Sequence, residues 1–401
     1  MKTAGIVCEY NPFHNGHKYQ IDTLRANGAE CIVCVMSGNY VQRGEPSMLD
    51  KYTRAQMAIR CGVDLVLELP FPYSSLSAEQ FARAGVCILD AVGVDTLSFG
   101  SECGDADKLT RAAKVISSKA FTERFSLLQK SNSGSAAAFF EAFEQVSGDK
   151  ADFKSNDLLG ISYIRAINEL EAQMKLFVIK RQGGGYTDTS VDGAMPSAMA
   201  IRRLLIEDQS DRNALDKVMP KYAADTVLSA FESNTAPVTD DVLFPYIQSF
   251  FRLHSPEEIK ARAASLCGGE SILDDGDGIC NRICACAVQS ASAEEFYEKL
   301  FNSRYTDTRI KRVILYSLFG VSDVFRHSLP EYTTLLGASR RGCEYLSDIR
   351  KTSKINIITK PSDAPECVQT CLSHRADSLY TLLMPQAQKS DYFIKKSPFI
   401  I

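Results

Sequence analysis

Two histidines separated by an asparagine and a glycine are the residues of this chain best placed to do chemistry. They lie in the turn NPFHNGH, residues 11–17, between an apolar run at 4–8 and a helix-like stretch at 18–27. A strand, turn and helix in this order deliver phosphate to a helix N-terminus, whose free N–H groups and positive dipole end favour negative charge. Gly16 would let a nucleotide approach the backbone closely. The turn therefore predicts a nucleoside triphosphate site.

His14 and His17 are the predicted catalytic residues of that site. Two imidazoles one helical step apart can donate hydrogen bonds to α- and β-phosphate oxygens, and so stabilise charge that develops when a nucleophile attacks the α-phosphorus. A single histidine is usually packed or solvated, but two of the five in the chain fall here, directly after the first predicted strand. We therefore favour the catalytic interpretation, with no covalent protein intermediate.

The elements that must position this turn alternate between apolar runs and helical patterns. Strands are predicted over 4–8, 31–36, 63–69, 94–99 and 175–180, with helices over 50–61 and 78–91. Such alternation predicts a Rossmann-like α/β domain with a parallel sheet. Ligands on these sheets bind beyond the carboxyl ends of the strands. The H-x-G-H turn, residues 37–39, residues 100–101 and the segment from Arg181 to Tyr186 should therefore meet at one edge.

Two further positions at that edge could hold phosphate. Arg181 carries a permanent charged fork suited to a triphosphate, although a surface arginine at a strand end is an equal alternative. Ser197 follows Pro196 where a helix cap would sit, which predicts a second phosphate-ready helix N-terminus or an ordinary N-cap. The glycines at 183–185 could contact phosphate or form a flexible link.

Composition indicates an ordinary globular protein. The 401 residues are 45% hydrophobic and 23% charged, and we expect two domains, 1–215 and 216–401. No secretory signal pattern is present, and no apolar run approaches the roughly 18 to 20 residues that span a bilayer. We expect a soluble cytoplasmic protein. The thirteen cysteines fit reduced thiols better than disulfides, and the spacing of Cys280, Cys284 and Cys286 is a poor metal site, so no metal ligands are predicted.

The second half is predicted to be mostly helical, over 240–253, 256–266, 278–300 and 308–319, with a helical module at 334–360 that ends in an extended piece at 355–359. The net charge of the whole chain is −4, yet residues 300–360 hold eleven lysines and arginines against five acidic residues. This local excess predicts RNA binding, although a charge run is often only a solvated helix face. The predicted contacts are Arg304, Arg309, Lys311, Arg312, Arg340 and Arg341.

Several segments resemble one known family. Residues 8–17 (CEYNPFHNGH), 36–46 (MSGNYVQRGEP), 98–102 (SFGSE), 155–160 (SNDLLG) and 304–312 (RYTDTRIKR) are similar to the bacterial tRNA(Met) cytidine acetate ligases, within the HIGH-type nucleotidyltransferase superfamily. This resemblance implies an enzyme that activates acetate with ATP and Mg²⁺ and acetylates the wobble cytidine of elongator tRNA(Met).

The resemblance also implies an ATP site. Its residues would be Val7, Cys8, Glu9, Tyr10, Asn11, Pro12, Phe13, His14, Asn15, Gly16, His17, Lys18, Tyr19, Gln20, Gly100, Asn156, Arg181 and Ser197. Helix capping is the alternative role for Asn156. Superfamily members carry an S-S-T-x-I-R-type segment near Ser197, and this chain keeps Ile201 and Arg202 but has Ala198 and Met199 in place of hydroxyl residues. Ser197 and backbone N–H groups would then contact the phosphates.

Two other functions stay open from the residues alone. One is a small-molecule adenylyltransferase of the pantetheine-phosphate type, although those chains are much shorter. The other is an ATP-dependent RNA-binding protein without catalysis, which the intact His14 and His17 argue against. Attack by acetate needs no general base because acetate is already ionised at neutral pH. No protein base stands out for the later loss of the amine proton, which the departing AMP phosphate could accept. Neither the acyl group nor the oligomeric state follows from sequence.

Overall fold

A sheet of eight strands forms the centre of the structure. The computed structural model describes residues 1–130, 135–181, 196–207, 212–272, 278–301 and 305–401. The described strands are β1 (Thr3–Cys8), β2 (Cys31–Ser37), β3 (Tyr40–Val41), β4 (Glu45–Pro46), β5 (Leu65–Leu69), β6 (Thr96–Ser101), β7 (Lys175–Lys180), β8 (Tyr332–Ala338), β9 (Asn356–Ile358) and β10 (Phe399–Ile400). The sheet order is β10-β8-β5-β2-β1-β6-β7, β9 pairs with β8, and β3 and β4 form a separate hairpin.

The five predicted strands are confirmed, and they form one continuous parallel block of the sheet. From β5 through β2, β1 and β6 to β7 every neighbouring pair is parallel. All residues of β1, β2 and β5 are buried, which explains their uninterrupted apolar runs. The strand order reverses between β1 and β6, so the topological switch point lies beside the carboxyl end of β1.

Most of the other described residues lie in helices. Those of the first half are α1 (Asn15–Ala26), α2 (Lys51–Arg60), α3 (Ala78–Ala91), α4 (Ala106–Ile116), α5 (Lys119–Lys130), α6 (Ser135–Ser147), α7 (Ser155–Glu169) and α8 (Ala198–Glu207). They are followed by α9 (Arg212–Val218), α10 (Lys221–Glu232), α11 (Asp240–Leu253), α12 (Pro256–Cys267), α13 (Ile279–Gln289), α14 (Ala293–Leu300), α15 (Asp307–Phe319), α16 (Val324–His327), α17 (Arg340–Ile349) and α18 (Val368–Leu383). The predicted α/β domain followed by a mostly helical region is confirmed.

The second half departs from the prediction at two places. The helical module predicted at 334–360 is wrong over its first residues, because 334–338 belong to the buried strand β8, which runs antiparallel to β5. A short buried run does not reveal by periodicity whether it is strand or helix. The single helix expected at 278–300 is two helices, because Ser292 caps α14 by accepting a hydrogen bond from the Glu295 N–H at 3.2 Å.

The predicted boundary at residue 215 stays a prediction. Three strands from beyond it, β8, β9 and β10, complete the sheet that the first half begins. One hydrophobic core runs from Ile6 in β1 to Phe319 in α15 and Tyr380 in α18. The two parts of the chain therefore share a sheet and a core.

A buried charged network ties α18 to this sheet. Lys51 donates to Glu68 of β5 at 2.7 Å and to Asp377 of α18 at 2.8 Å. Asn39 adds a hydrogen bond to Asp377 at 2.9 Å and accepts one from the Lys51 backbone N–H at 2.8 Å. Each charge of the network thus has a close partner, as burial requires.

The thirteen cysteines are free thiols. Of the four that lie in predicted apolar segments and were expected to be buried, Cys31, Cys34 and Cys61 are buried, whereas Cys87 is only half-buried. In the part of the chain that the structure describes, no group of three metal-ligating side chains comes together. Among the described helices, none has the length and apolar character needed to cross a bilayer.

Candidate active site

A cavity of about 240 Å³ opens at the switch point, beyond the carboxyl ends of β1 and β6. Its wall is built by the turn between β1 and α1, the first residues of α1, the start of α7, the end of β7 and the start of α8. The predicted residues on it are Val7, Cys8, Glu9, Tyr10, Asn11, His14, Gly16, His17, Tyr19, Gln20, Gly100, Asn156, Arg181 and Ser197. The structure therefore gathers most of the predicted ATP site around one cavity.

The side chains of His14 and His17 cap the first turn of α1 by accepting hydrogen bonds from backbone N–H groups. The Gly16 N–H donates to His14 Nδ1 at 3.0 Å, and the His14 N–H donates to His17 Nδ1 at 3.3 Å. This is a capping box in which imidazoles replace the usual hydroxyl and carboxylate. Because each Nδ1 accepts a hydrogen bond, the proton of each neutral ring must sit on Nε2. Both residues line the cavity with a hydrogen-bond donor on the ring.

The two rings are held in place and kept uncharged. They stack with centroids 3.7 Å apart, and the ring of Tyr10 lies 4.7 Å from that of His17. Burial, with the positive charge of Arg181, lowers the pKa of His14 to about 3. Burial, His14 and Arg181 also lower the pKa of His17 well below its usual value. At neutral pH both side chains are neutral donors.

Gly16 is required by the His14 ring. A Cβ at this position would lie 2.9 Å from His14 Cε1 and 3.1 Å from Nδ1. The absence of a side chain therefore admits the imidazole that caps the helix, as well as leaving room for a ligand.

The loop after β2 holds the loop after β1. The Gln42 N–H donates to Glu9 Oε1 at 2.9 Å, and the Met48 N–H donates to Asn11 Oδ1 at 2.8 Å. The fully buried guanidinium of Arg54 donates to the carbonyls of Leu49, Glu9 and Gly38. These bonds fix the course of the chain into the H-x-G-H turn.

Arg181 stands opposite this turn, directly after β7. Its N–H donates to the Ser101 carbonyl at 2.9 Å, which continues the pairing of β7 with β6. Its side chain runs past Gly100, where a Cβ would lie 3.2 Å from Arg181 Cγ. Its positive charge adds to the effect of burial, and for His17 to that of His14, in lowering the pKa values of His14 and His17. A guanidinium and two imidazole donors thus face one cavity.

Asn156 lies in the first turn of α7 and does not cap it. Its amide donates to Glu102 Oε1 at 2.6 Å, while the residue before the helix is Lys154. Ser197 does act as an N-cap, since its Oγ accepts from the Ala200 N–H at 3.1 Å. Ser197 is buried and lines the cavity as well, so the capping and ligand-facing positions coincide.

Four residues of the predicted ATP site are not on the cavity wall. Phe13 is fully buried, and Pro12 precedes it in the turn. The Asn15 side chain donates to the Lys217 carbonyl at 2.8 Å, and Lys18 pairs with Asp22. The glycines at 183–185 lie outside the described residues.

Other wall residues were not predicted. Arg202 donates to the Asn11 carbonyl at 2.8 Å and lies 3.5 Å from Glu45, and the I-R spacing after Ser197 was the signal that could have found it. The loop after β2 contributes Gln42 and Arg43. Further side chains on the wall are Ile6 of β1, Phe81 of α3, Phe99 of β6, and Leu159 and Tyr163 of α7. No local sequence signal marks them as wall residues.

The predicted RNA contacts fall into two separate places, and Arg304 lies outside the described residues. Helix α15 packs against the β3–β4 hairpin. Its residues Arg309, Lys311 and Arg312 therefore lie at the same end of the sheet as the cavity. Lys311 pairs with Glu45 at 3.2 Å and with Asp240. The Arg309 guanidinium lies 5.1 Å from the centroid of the buried Tyr305 ring.

Arg340 and Arg341 lie at the end of the sheet opposite the cavity, where the parallel strands begin. They follow β8, whose last residue, Ala338, pairs with Leu65 at the amino end of β5. Both side chains are exposed. Their contact with RNA, like that of α15, stays a prediction.

The fold and cavity define a class of nucleotide-binding transferase. The chain matches the HIGH Nucleotidyl Transferase family over residues 1–393. It is 33% identical over 379 residues to the tRNA(Met) cytidine acetate ligase of Acetivibrio thermocellus, which covers 90% of this chain and 89% of that protein. It is 37% identical over 374 residues to the protein of the same name from Syntrophotalea carbinolica, covering 90% and 85%.

Solved structures agree with these relatives. The apo crystal structure of Thermotoga maritima TmcAL superimposes with a TM-score of 0.91 at 30% identity, and both chains are covered completely. The same protein bound with alpha-thio ATP gives 0.87, again at 30% identity and complete coverage. The chain therefore belongs to the tRNA(Met) cytidine acetate ligase family, and the family predicted from the sequence is confirmed.

Proposed function

We propose that this protein activates acetate with ATP and transfers the acetyl group to the wobble cytidine of elongator tRNA(Met). The observation that carries the proposal is the cavity at the switch point, where His14, His17 and Arg181 meet. An acetate oxygen attacks the α-phosphorus, the bond to the β-phosphate oxygen breaks, and acetyl-adenylate and pyrophosphate result. The cytidine N4 amine then attacks the acetyl carbonyl, and AMP leaves.

The chain's part in the first step is electrostatic. His14 and His17 donate from Nε2 to the oxygens of the phosphate under attack, and because they are neutral they do not bind the ground-state triphosphate as strongly as cations would. Donors that are already oriented favour the transition state, in which charge grows on those oxygens. Arg181 holds the outgoing pyrophosphate by its fork, with Ser197 and the N-terminus of α8 as further donors.

Mg²⁺ would supply positive charge that neutralises the triphosphate. Among the described residues on the wall, Glu9 is the one acidic side chain, so the wall offers no set of carboxylates for the ion. Phosphates and water would supply its ligands, and we assign no protein ligand.

The tRNA is proposed to reach the cavity over α15, in the domain predicted at 216–401. The anticodon loop would present a flipped-out cytidine, because a base cannot react while stacked and paired. We place the reaction in the cytoplasm, where the tRNA is found.

The proposal is tested by incubating the protein with ATP, Mg²⁺, radiolabelled acetate and bacterial tRNA, followed by nucleoside analysis of the RNA. Label in N4-acetylcytidine, dependent on ATP, is expected. Acetate-dependent exchange of pyrophosphate into ATP without labelled RNA would support the activation of acetate. It would refute tRNA as the acceptor of the acetyl group. If both signals are absent, the result would favour an adenylyltransferase that acts on a small phosphorylated metabolite.

The catalytic role of the histidines needs a separate variant. His17→Ala should abolish turnover while RNA binding is kept. Unchanged turnover would refute the assignment, and an RNA-binding protein without catalysis would show binding in both forms and turnover in neither.

A further inference from the structure

Transfer of the acetyl group releases a proton from the cytidine N4 amine, and some group in the cavity must accept it. This inference rests on the proposed function, in which the cytidine N4 amine attacks the acetyl carbonyl. As the new C–N bond forms, nitrogen becomes positively charged, and it must lose a proton before or while the bond from the acetyl carbon to AMP breaks. A group on the cavity wall that accepts this proton would speed the step.

The histidines are poor acceptors. Their Nδ1 atoms already accept backbone hydrogen bonds and their Nε2 atoms carry protons. Their pKa values are also lowered by burial, so neither ring takes up a proton near neutral pH. The role of these two side chains as donors excludes them as the base.

Two other wall residues fail for the opposite reason. Burial raises the pKa of Cys8 and of Tyr10 well above their usual values. Both groups therefore stay protonated, and the Tyr10 hydroxyl is engaged with the Cys34 sulfur at 3.3 Å.

Glu9 meets the requirements that these residues do not. It follows β1 directly and lines the cavity beside the H-x-G-H turn. Its Oε1 accepts the Gln42 N–H at 2.9 Å, which fixes the carboxylate, while Oε2 has no hydrogen-bond partner among the described residues. One oxygen thus positions the group and the other remains available to a ligand.

We propose that Glu9 is the catalytic base of acetyl transfer. Its Oε2 accepts the proton from the cytidine N4 nitrogen as the C–N bond forms and the bond between the acetyl carbon and the AMP oxygen breaks. The products are N4-acetylcytidine, AMP and protonated Glu9, which returns the proton to water when the products leave.

The environment of Glu9 suits this task. Burial raises the pKa of its carboxyl above the usual value, and this outweighs the Gln42 N–H and the positive charge of Arg202, which lower it. A carboxylate with a raised pKa is a stronger base. It is still ionised at the start of the step if that pKa lies below the working pH.

The test compares the two half-reactions in Glu9→Gln. The glutamine carbonyl can still accept the Gln42 N–H, so the loop should keep its position. Single-turnover acetyl transfer to tRNA should fall about 10²- to 10⁴-fold. Acetate-dependent exchange of pyrophosphate into ATP should fall far less, by about tenfold at most, although Glu9 lies on the wall of the same cavity. The transfer rate of the unmodified protein should rise with pH and level off, and that of Glu9→Gln should be low and flat.

Glu79→Gln is the matched control, since it makes the same charge change at a half-exposed side chain paired with Arg165 outside the cavity. It should leave both half-reactions unchanged. Equal losses of exchange and transfer in Glu9→Gln would overturn the inference and point to a role in binding the nucleotide or its metal ion. Unchanged transfer would overturn it too. If the unmodified protein exchanges pyrophosphate but never acetylates tRNA, the proposed function itself fails.

Discussion

Gly16→Ala should lower activity while the protein stays folded. The new Cβ would lie 2.9 Å from His14 Cε1 and 3.1 Å from Nδ1, shorter than an ordinary van der Waals contact. The His14 ring cannot retreat freely, because it is buried and stacks on His17 at 3.7 Å. Relief of the contact requires a shift of about 0.5 Å at the ring, and misplacement of a reacting group by ~1 Å can cost ~10²-fold in rate. We expect the exchange of pyrophosphate into ATP to slow by about tenfold, or ~1.4 kcal/mol.

The stability of the same variant depends on two opposing effects. Gly16 lies in the first turn of α1 and has no positive φ, and alanine is favoured over glycine in a helix by about 0.5–1 kcal/mol. The contact with the buried His14 ring acts against this gain, since overpacking costs about 1–3 kcal/mol. Urea unfolding should therefore show a loss of no more than about 2.5 kcal/mol. Asp22→Ala, on the exposed side of the same helix, is the control and should keep full activity. Unchanged exchange in Gly16→Ala, or loss of exchange only in step with loss of stability, would refute the reasoning.

Three further outcomes follow from particular contacts. Lys51→Met leaves Glu68 and Asp377 buried without their cation and should destabilise the fold by about 3–5 kcal/mol in urea unfolding; a loss under ~1 kcal/mol would show that the network is dispensable. Because the folded-state pKa of His14 is lowered to about 3, the unfolded chain binds its proton first as pH falls below ~6.5, so stability declines from there towards pH 3, by at most ~1.4 kcal/mol per pH unit. His14→Gln should flatten that decline, and an identical pH profile would contradict it. If tRNA phosphates contact both ends of the sheet, Arg309→Gln and Arg340→Gln should each reduce the slope of log K for tRNA binding against log[salt] by about one. An unchanged slope would show that the substituted residue does not contact the tRNA.

The parallel sheet could be predicted because its strands are buried on both faces and leave continuous apolar runs. The turn could be predicted because two histidines and a glycine stand at the end of one such run. What could not be predicted is the reciprocal capping of His14 and His17. The sequence shows their spacing, but the choice of Nδ1 as acceptor depends on where the Gly16 and His14 backbone N–H groups lie relative to the two rings, which only the structure shows. That choice is what leaves Nε2 as the donor.

The apolar side chains of the cavity wall could not be predicted either. Phe81, Phe99 and Tyr163 come from α3, β6 and α7, and each looks like an ordinary core residue in its own element. Only the packing of three elements brings them to one cavity. Arg202 was different, since its spacing from Ser197 resembled a phosphate-binding segment. Its contact with the Asn11 carbonyl shows that it also braces the H-x-G-H turn.

The direction of β8 decides how the basic residues must be understood. A charge count over 300–360 treats them as one cluster, yet β8 runs antiparallel to β5 and carries the chain from the cavity edge to the opposite edge. The five residues of β5 rise about 3.3 Å each, so Arg340 and Arg341 emerge roughly 15 Å or more from the cavity edge. A small phosphorylated metabolite bound beside His14 cannot reach them, whereas a folded RNA can span both edges. Dependence of binding on Arg340 would therefore argue for a macromolecular acceptor, independently of the chemistry at the cavity.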